Sequence, residues 1–169
     1  MTKSIAVFGV NRIYGSVIAK KLAEHSFRLL LLTEDKEECS FLISDYPNTD
    51  IQILNCPAQS GWEADIIVLD IAAEDKPELT DSIRSFVTQK IVFNISEPEE
   101  SSYSCDETDI KFLLPYSRIV NLGFIKNKEE ELMFFISGKD KEALDEAKTL
   151  LKQIGFIHAP VDLLVTNKL

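Results

Sequence analysis

Ile5-Ala6-Val7-Phe8-Gly9-Val10-Asn11-Arg12-Ile13-Tyr14-Gly15 is an apolar run that meets one glycine and then, past five intervening residues, a second. A continuous apolar run predicts a buried strand, Lys3 to Gly9, rather than a half-exposed one. Val17, Ile18, Leu22 and Ala23 then recur at helical spacing from Gly15 to about His25, with Lys20, Lys21 and Glu24 on the opposite face. Strand, glycine turn and helix in that order is the arrangement in which backbone N–H groups at a helix N-terminus receive a pyrophosphate. The spacing is that of a three-glycine dinucleotide fingerprint whose middle place is held by Arg12. Gly9 suits the tight turn off the strand and Gly15 the close approach of the helix.

Outward from that stretch, strands and helices alternate. Phe27 to Leu32 carries four consecutive leucines and predicts a strand covered on both sides. Glu34 to Ser44 predicts a short helix, and Ile51 to Leu54 a third strand reached through the turn residues Pro47-Asn48-Thr49-Asp50. Asp65 to Ile71 is the clearest strand, followed by a helix over Lys76 to Phe86 entered at Pro77 and a fifth strand over Lys90 to Ile95. Ser96 to Ser102 is polar and predicts a loop. Ser117 to Gly123 and Glu131 to Ser137 predict two more strands, joined across Asn127 to Glu130. A final helix over Asp140 to Ile154 ends at Gly155 as at a C′ glycine, with a last short strand between Phe156 and Leu164. Alternation at this spacing requires right-handed crossovers, so the expected architecture is an α/β, Rossmann-like, doubly wound, mainly parallel sheet in three α/β/α layers.

With 169 residues, 45% of them hydrophobic, the chain suits a single domain over residues 1–169. The net charge of -10, from 28 acidic against 18 basic side chains, repels nucleic acid and anionic membrane surfaces, so neither is expected as a partner. No apolar run approaches the roughly 18 residues that span a bilayer. Met1-Thr2-Lys3-Ser4 leads straight into a strand without an apolar leader, which predicts a cytoplasmic protein. Cys39, Cys56 and Cys105 have no metal-ligand spacing and read as reduced, inert thiols. No metal site is expected.

The candidate cofactor-binding residues follow from the turn and from the strand ends. They are Gly9, Asn11, Arg12, Ile13, Tyr14 and Gly15 in the loop, Thr33 and Glu34 after the second strand, Ile71 and Ala72 after the fourth, and Asn94 on the fifth. Arg12 has two readings: a guanidinium that clamps a pyrophosphate from the side, or a solvated loop residue on a retired site. Arg12→Gly is the substitution the sequence nominates for reopening the loop. Glu34 or Asp35 holds the place of the carboxylate that bonds ribose hydroxyls, which favours NAD over NADP; the alternative is an acidic pair at a helix N-terminus. Asn94 suits either a ribose or a turn. His25 reads as a solvated helix-end residue and Trp62 as core. No nucleophile, base or acid constellation is visible, so no catalytic residue is assigned.

Gly9 to Gly15, Glu63 to Leu69, Lys90 to Asn94, Leu113-Leu114-Pro115-Tyr116-Ser117-Arg118-Ile119-Val120 and Ser137-Gly138-Lys139-Asp140 occur in an order that resembles the NADP reductases that use a deazaflavin coenzyme. The likeness covers nearly the whole chain, and the nucleotide domain of prephenate dehydrogenases is similar as well. The resemblance implies a nicotinamide dinucleotide, NAD or NADP, lying across the carboxyl edge of the sheet. It also implies hydride transfer to or from a small molecule or second cofactor, which requires alignment more than an acid or base. Two other readings stand beside it. One is a non-catalytic module that senses a nucleotide or serves as an interaction subunit; the other is a descendant that binds no cofactor. A homo-oligomer is compatible with all three.

Overall fold

A computed structural model of the chain describes residues 2–25, 27–96 and 107–160. The elements run β1 (Ser4–Phe8), α1 (Ile13–Ala23), β2 (Arg28–Leu32), α2 (Glu37–Asp45), β3 (Ile51–Leu54), α3 (Pro57–Glu63), β4 (Ile66–Leu69), α4 (Lys76–Ile83), β5 (Ile91–Ile95), α5 (Glu107–Leu113), β6 (Arg118–Lys126), β7 (Leu132–Ser137), α6 (Lys141–Gln153) and β8 (Ile157–His158). The strands form one sheet in the order β3-β2-β1-β4-β5-β6-β7-β8. β1 to β6 are mutually parallel, β7 is antiparallel to β6, and β8 is parallel to β7. This is the Rossmann-like doubly wound fold.

Unbroken aliphatic strands bury both faces of the sheet. Ile5, Val7, Leu29, Leu31, Ile66, Val68 and Phe93 face a layer made by α1, α2 and α6, where Ile18, Leu22, Leu42, Ala147 and Leu151 meet them. Ala6, Phe8, Leu30, Ile67, Leu69 and Val92 face the other way, against Ile83 of α4 and Ile110 of α5. The chain works outward from β1 to β3, then crosses back to place β4 on the other side of β1. The ends of β1 and β4 therefore lie side by side where the direction of winding reverses, the position at which open parallel sheets bind ligands.

Several boundaries differ from the sequence reading. β4 stops at Leu69 rather than Ile71, because Asp70 turns its carboxylate onto α1. α2 begins at Glu37, with the Asp35 carboxylate accepting from the Glu37 N–H at 2.9 Å, so Glu34 precedes the helix. α4 closes at Ile83 rather than Phe86. β6 runs past Gly123 to Lys126 because the Phe135 ring of β7 lies over Gly123, and the hairpin is closed at Asn127, whose side chain accepts from the N–H groups of Glu129 and Glu131. α3 and α5 were not expected at all. Trp62 is not core: it lies on α3, 71% exposed, edge-on to Phe86.

Other expectations hold. Pro77 stands in the first turn of α4. Asp140, expected as the first residue of the last helix, is instead the N-cap of α6; Nε and Nη2 of Arg118 first, and the Ala143 N–H second, hold its carboxylate and lower its carboxyl from 3.8 to about 2. Gly155 ends α6, with the Gly155 and Phe156 N–H groups returning to the carbonyls of Lys152 and Leu151. The last short strand expected between Phe156 and Leu164 is present as β8 over Ile157–His158. The expected polar loop beyond Ser96, Cys105 and the residues after Pro160 lie outside the described residues.

Candidate functional site

At the end of β1, Gly9 turns the chain at φ +90°, and the Arg12 N–H closes the turn on the Gly9 carbonyl at 2.9 Å. Three backbone segments then touch. A Cβ on Gly9 would stand 1.8 Å from the Asp70 carbonyl oxygen, and a Cβ on Gly15 would stand 2.1 Å from the Gly9 carbonyl oxygen. The sequence reading of both glycines as structural necessities is correct in its physics. No L-residue fits at either place without moving backbone.

Arg12 is the N-cap of α1, and its side chain makes no capping hydrogen bond. Asp70, on the neighbouring strand end, supplies one. Its Oδ2 accepts from the Gly15 N–H at 2.8 Å, and its Oδ1 accepts from Arg12 Nε at 3.2 Å. Asp70 is 3% exposed, so this is a desolvated carboxylate held by one helix-terminal amide and one guanidinium. Neither reading of Arg12 included that partner. The cation is neither aimed at an open pyrophosphate seat nor solvated; it is half-buried and paired with an internal anion that occupies a donor of the helix N-terminus.

The remaining candidates divide by position. Tyr14 packs away from the turn, stacked on Phe124 of β6 at 4.9 Å between ring centroids. Ile13 is 78% exposed on the first turn of α1. Asn11 is exposed and donates to Glu38 Oε1 at 3.3 Å, and Glu38 Oε2 accepts from the Thr33 hydroxyl at 2.8 Å. The carboxylate that joins the loop to the end of β2 is thus Glu38, while Glu34 is exposed beside it. Ile71 and Ala72 lie half-buried after β4.

Asn94 is 2% exposed, level with Leu69 of β4 and Asn121 of β6 across the sheet. Lys76 Nζ, from the first turn of α4, donates to Asn94 Oδ1 at 2.9 Å, and Asn94 Nδ2 donates to Asn121 Oδ1 at 2.9 Å. Asp70, Glu38, Lys76 and Asn121 were missed from the sequence. Asp70 read as the end of an apolar strand and Lys76 as the start of a helix, and nothing local marks their partners.

A groove of about 740 Å³ opens at the opposite, amino edge of the sheet, lined by Phe112, Tyr116, Arg118 and Asp140 among others. It lies away from the strand ends at which ligands of this fold bind. No helix among the described residues is long and apolar enough to cross a membrane.

No family model and no curated protein matches the chain. Solved structures match it as a fold. They include pyrroline carboxylate reductase of Plasmodium falciparum with NADP bound, at TM-score 0.65 and 14% identity over 94% of this chain and 56% of that one. The 3-hydroxyisobutyrate dehydrogenase of Mycobacterium tuberculosis has TM-score 0.70 at 14% identity, over 94% and 54%. The prephenate dehydrogenase of A. aeolicus with NAD+ and hydroxyphenyl propionate has TM-score 0.71 at 16% identity, over 94% and 59%. The chain spans little more than half the length of these proteins. At such identities the shared feature is the Rossmann-like fold alone.

Proposed function

We propose that the chain binds a nicotinamide dinucleotide across the carboxyl edge of the sheet and takes part in hydride transfer to or from a small acceptor or a second cofactor, in the finer form a deazaflavin. The observation that supports this reading is the crossing of Gly9 and Gly15 at the reversal point between β1 and β4, where both Cβ positions are closed by backbone. The residues fit the group at two of its three parts. Thr33, Glu38 and Glu34 offer a hydroxyl and carboxylates to an adenosine ribose, and the acidic run of Glu34, Asp35, Glu37 and Glu38 against Lys36 favours NAD over a 2′-phosphate. Ile71, Ala72 and Asn94 border the nicotinamide end.

At the third part, the pyrophosphate meets the Arg12–Asp70 pair. When bound, the dinucleotide supplies the hydride chemistry. The chain's own contribution is to orient it, with Arg12 exchanging its internal carboxylate for a phosphate oxygen. Purified protein titrated with NADH and with NADPH tests the reading: fluorescence or calorimetric saturation below millimolar supports it, and silence with both cofactors refutes it.

A second reading is favoured by Asp70 itself. A carboxylate already bonded to the first turn of α1 closes the seat, and the chain then acts as a non-catalytic module or interaction subunit. Turnover of NAD(P)H with any flavin, deazaflavin or quinone acceptor excludes that alternative.

A further inference from the structure

The groove at the amino edge of the sheet, about 740 Å³, has room for a small molecule, for which clefts of roughly 300–1,000 Å³ are usual. Its walls are tied together. The Gln89 N–H bonds the Tyr116 carbonyl at 2.9 Å, which joins the turn before β5 to the turn after α5, and Lys111 Nζ of α5 bonds the Ser117 carbonyl at 3.0 Å. Two rings line the groove uncovered: Phe112 is 82% exposed and Tyr116 69%. Large apolar side chains scattered singly over a surface are ordinary, whereas two rings in one concavity mark a surface that something covers.

The charge of the groove runs against that of the chain. In a protein of net charge -10, the lining carries Lys111, Arg118 and Lys139 against the carboxylate of Asp140. Arg118 is already engaged, because Nε and Nη2 both hold Asp140 and Glu142 lies 3.6 Å from Nη2. Two ammonium groups remain. Lys111 uses one of its three donors on Ser117, and Lys139 is exposed and makes no ion pair or hydrogen bond among the described residues. With the guanidinium fork occupied, a planar carboxylate finds no bidentate partner, while a phosphate presents oxygens in several directions to lysines that act as point charges. A phosphate monoester carries close to two negative charges at neutral pH, which two ammonium groups balance.

We propose that the amino-edge groove binds a small aromatic phosphate ester, with its ring against Phe112 and Tyr116 and its phosphate met by Lys111 and Lys139. The site shares no residue with the glycine turn or with the strand ends beside it, so it stands whether or not a dinucleotide binds there.

The test is an NMR titration of the full chain, labelled with 15N and 13C and free of nucleotide, in which phenyl phosphate, benzoate, benzyl alcohol and inorganic phosphate are added in separate experiments. Saturable movement of the Phe112 and Tyr116 ring signals and of the Lys139 side chain with phenyl phosphate, at lower concentration than with any of the other three, supports the site. Lys139→Met and Phe112→Ala should each weaken phenyl phosphate by about fivefold, the upper end for an exposed ion pair and the middle of the range for a pair of rings. Both side chains are exposed, so neither substitution opens the core. The proposal is overturned by the absence of saturation at millimolar phenyl phosphate, by equal or tighter binding of any of the other three compounds, by movement centred on the Gly15 amide instead of the groove, or by unchanged affinity in either variant. The wild-type titration decides the matter even if a variant fails to fold.

Discussion

Asp70→Asn separates the two readings of the glycine turn. In the wild type, the Asp70 carboxylate answers two donors, the Gly15 N–H at 2.8 Å and Arg12 Nε at 3.2 Å. Asparagine has one acceptor oxygen and must point its NH2 at whichever donor is left. One charge-assisted bond is lost, and Arg12, whose side chain is 33% exposed, recovers part of its hydration, so the expected cost is about 2 kcal/mol of folding stability. Binding should move the other way. Removing one negative charge roughly 5 Å from a phosphate, at an effective dielectric of about 20, is worth about 3 kcal/mol, or about two orders of magnitude in affinity. That separation is shorter than the Debye length of about 8 Å at physiological salt, so the gain should survive there. Urea denaturation reads the stability and calorimetry with NADH reads the affinity, both at one salt concentration. A variant that loses stability without gaining affinity would refute the placing of Asp70 in the phosphate seat.

Three further outcomes follow from the same structure. Gly15→Ala, which in an exposed helix would gain about 1 kcal/mol, should instead lose about 3 kcal/mol or more by denaturation, because its Cβ meets the Gly9 carbonyl oxygen at 2.1 Å. Asp140 has its carboxyl lowered from 3.8 to about 2 by Arg118 first and by the Ala143 N–H second. The stability it contributes should therefore be complete above its unfolded value and fall away as the pH drops toward 2, and the urea-midpoint difference between wild type and Asp140→Asn should shrink over that window. Cys39, buried and pushed up to about 11 chiefly by desolvation, should resist alkylation in the folded protein while exposed Cys56 is labelled, as site-resolved mass spectrometry would show.

The fold was legible where burial on both faces forced an unbroken aliphatic run. β1, β2 and β4 carry such runs, β5 departs from them only at Phe93 and Asn94, and an apolar run between helical patterns has few other places to go. α3 was not legible because Ser60 and Gly61 weaken a seven-residue helix that forms only through tertiary contact, with Gly61 packed under Ile83 and Val87. The overrun of β6 was hidden for a related reason: Gly123 reads as the end of a strand until Phe135 is placed across it. Trp62 misled because an apolar side chain beside a strand is usually core.

At the site, what sequence could not supply was pairing across distance. Arg12 and Asp70 stand 58 positions apart, and each alone reads as an anomaly in an otherwise regular motif. Together they are electrically neutral. The N-terminus of α1 carries about half a positive charge, and adding one cation and one anion leaves that net field unchanged while filling a donor a ligand would use. This makes Arg12→Gly, the substitution the motif nominates, the wrong one to reopen the turn. It leaves a nearly buried carboxylate with only the Gly15 N–H, should cost about 3 kcal/mol as a broken buried pair, and makes the seat more negative, so NADH affinity should fall. Adding Asp70→Asn to it should recover the affinity and much of the stability, giving a coupling energy of about 1–3 kcal/mol in the double-mutant cycle. Strict additivity of the two substitutions, in stability and in affinity, would mean that the ion pair does not govern this end of the helix.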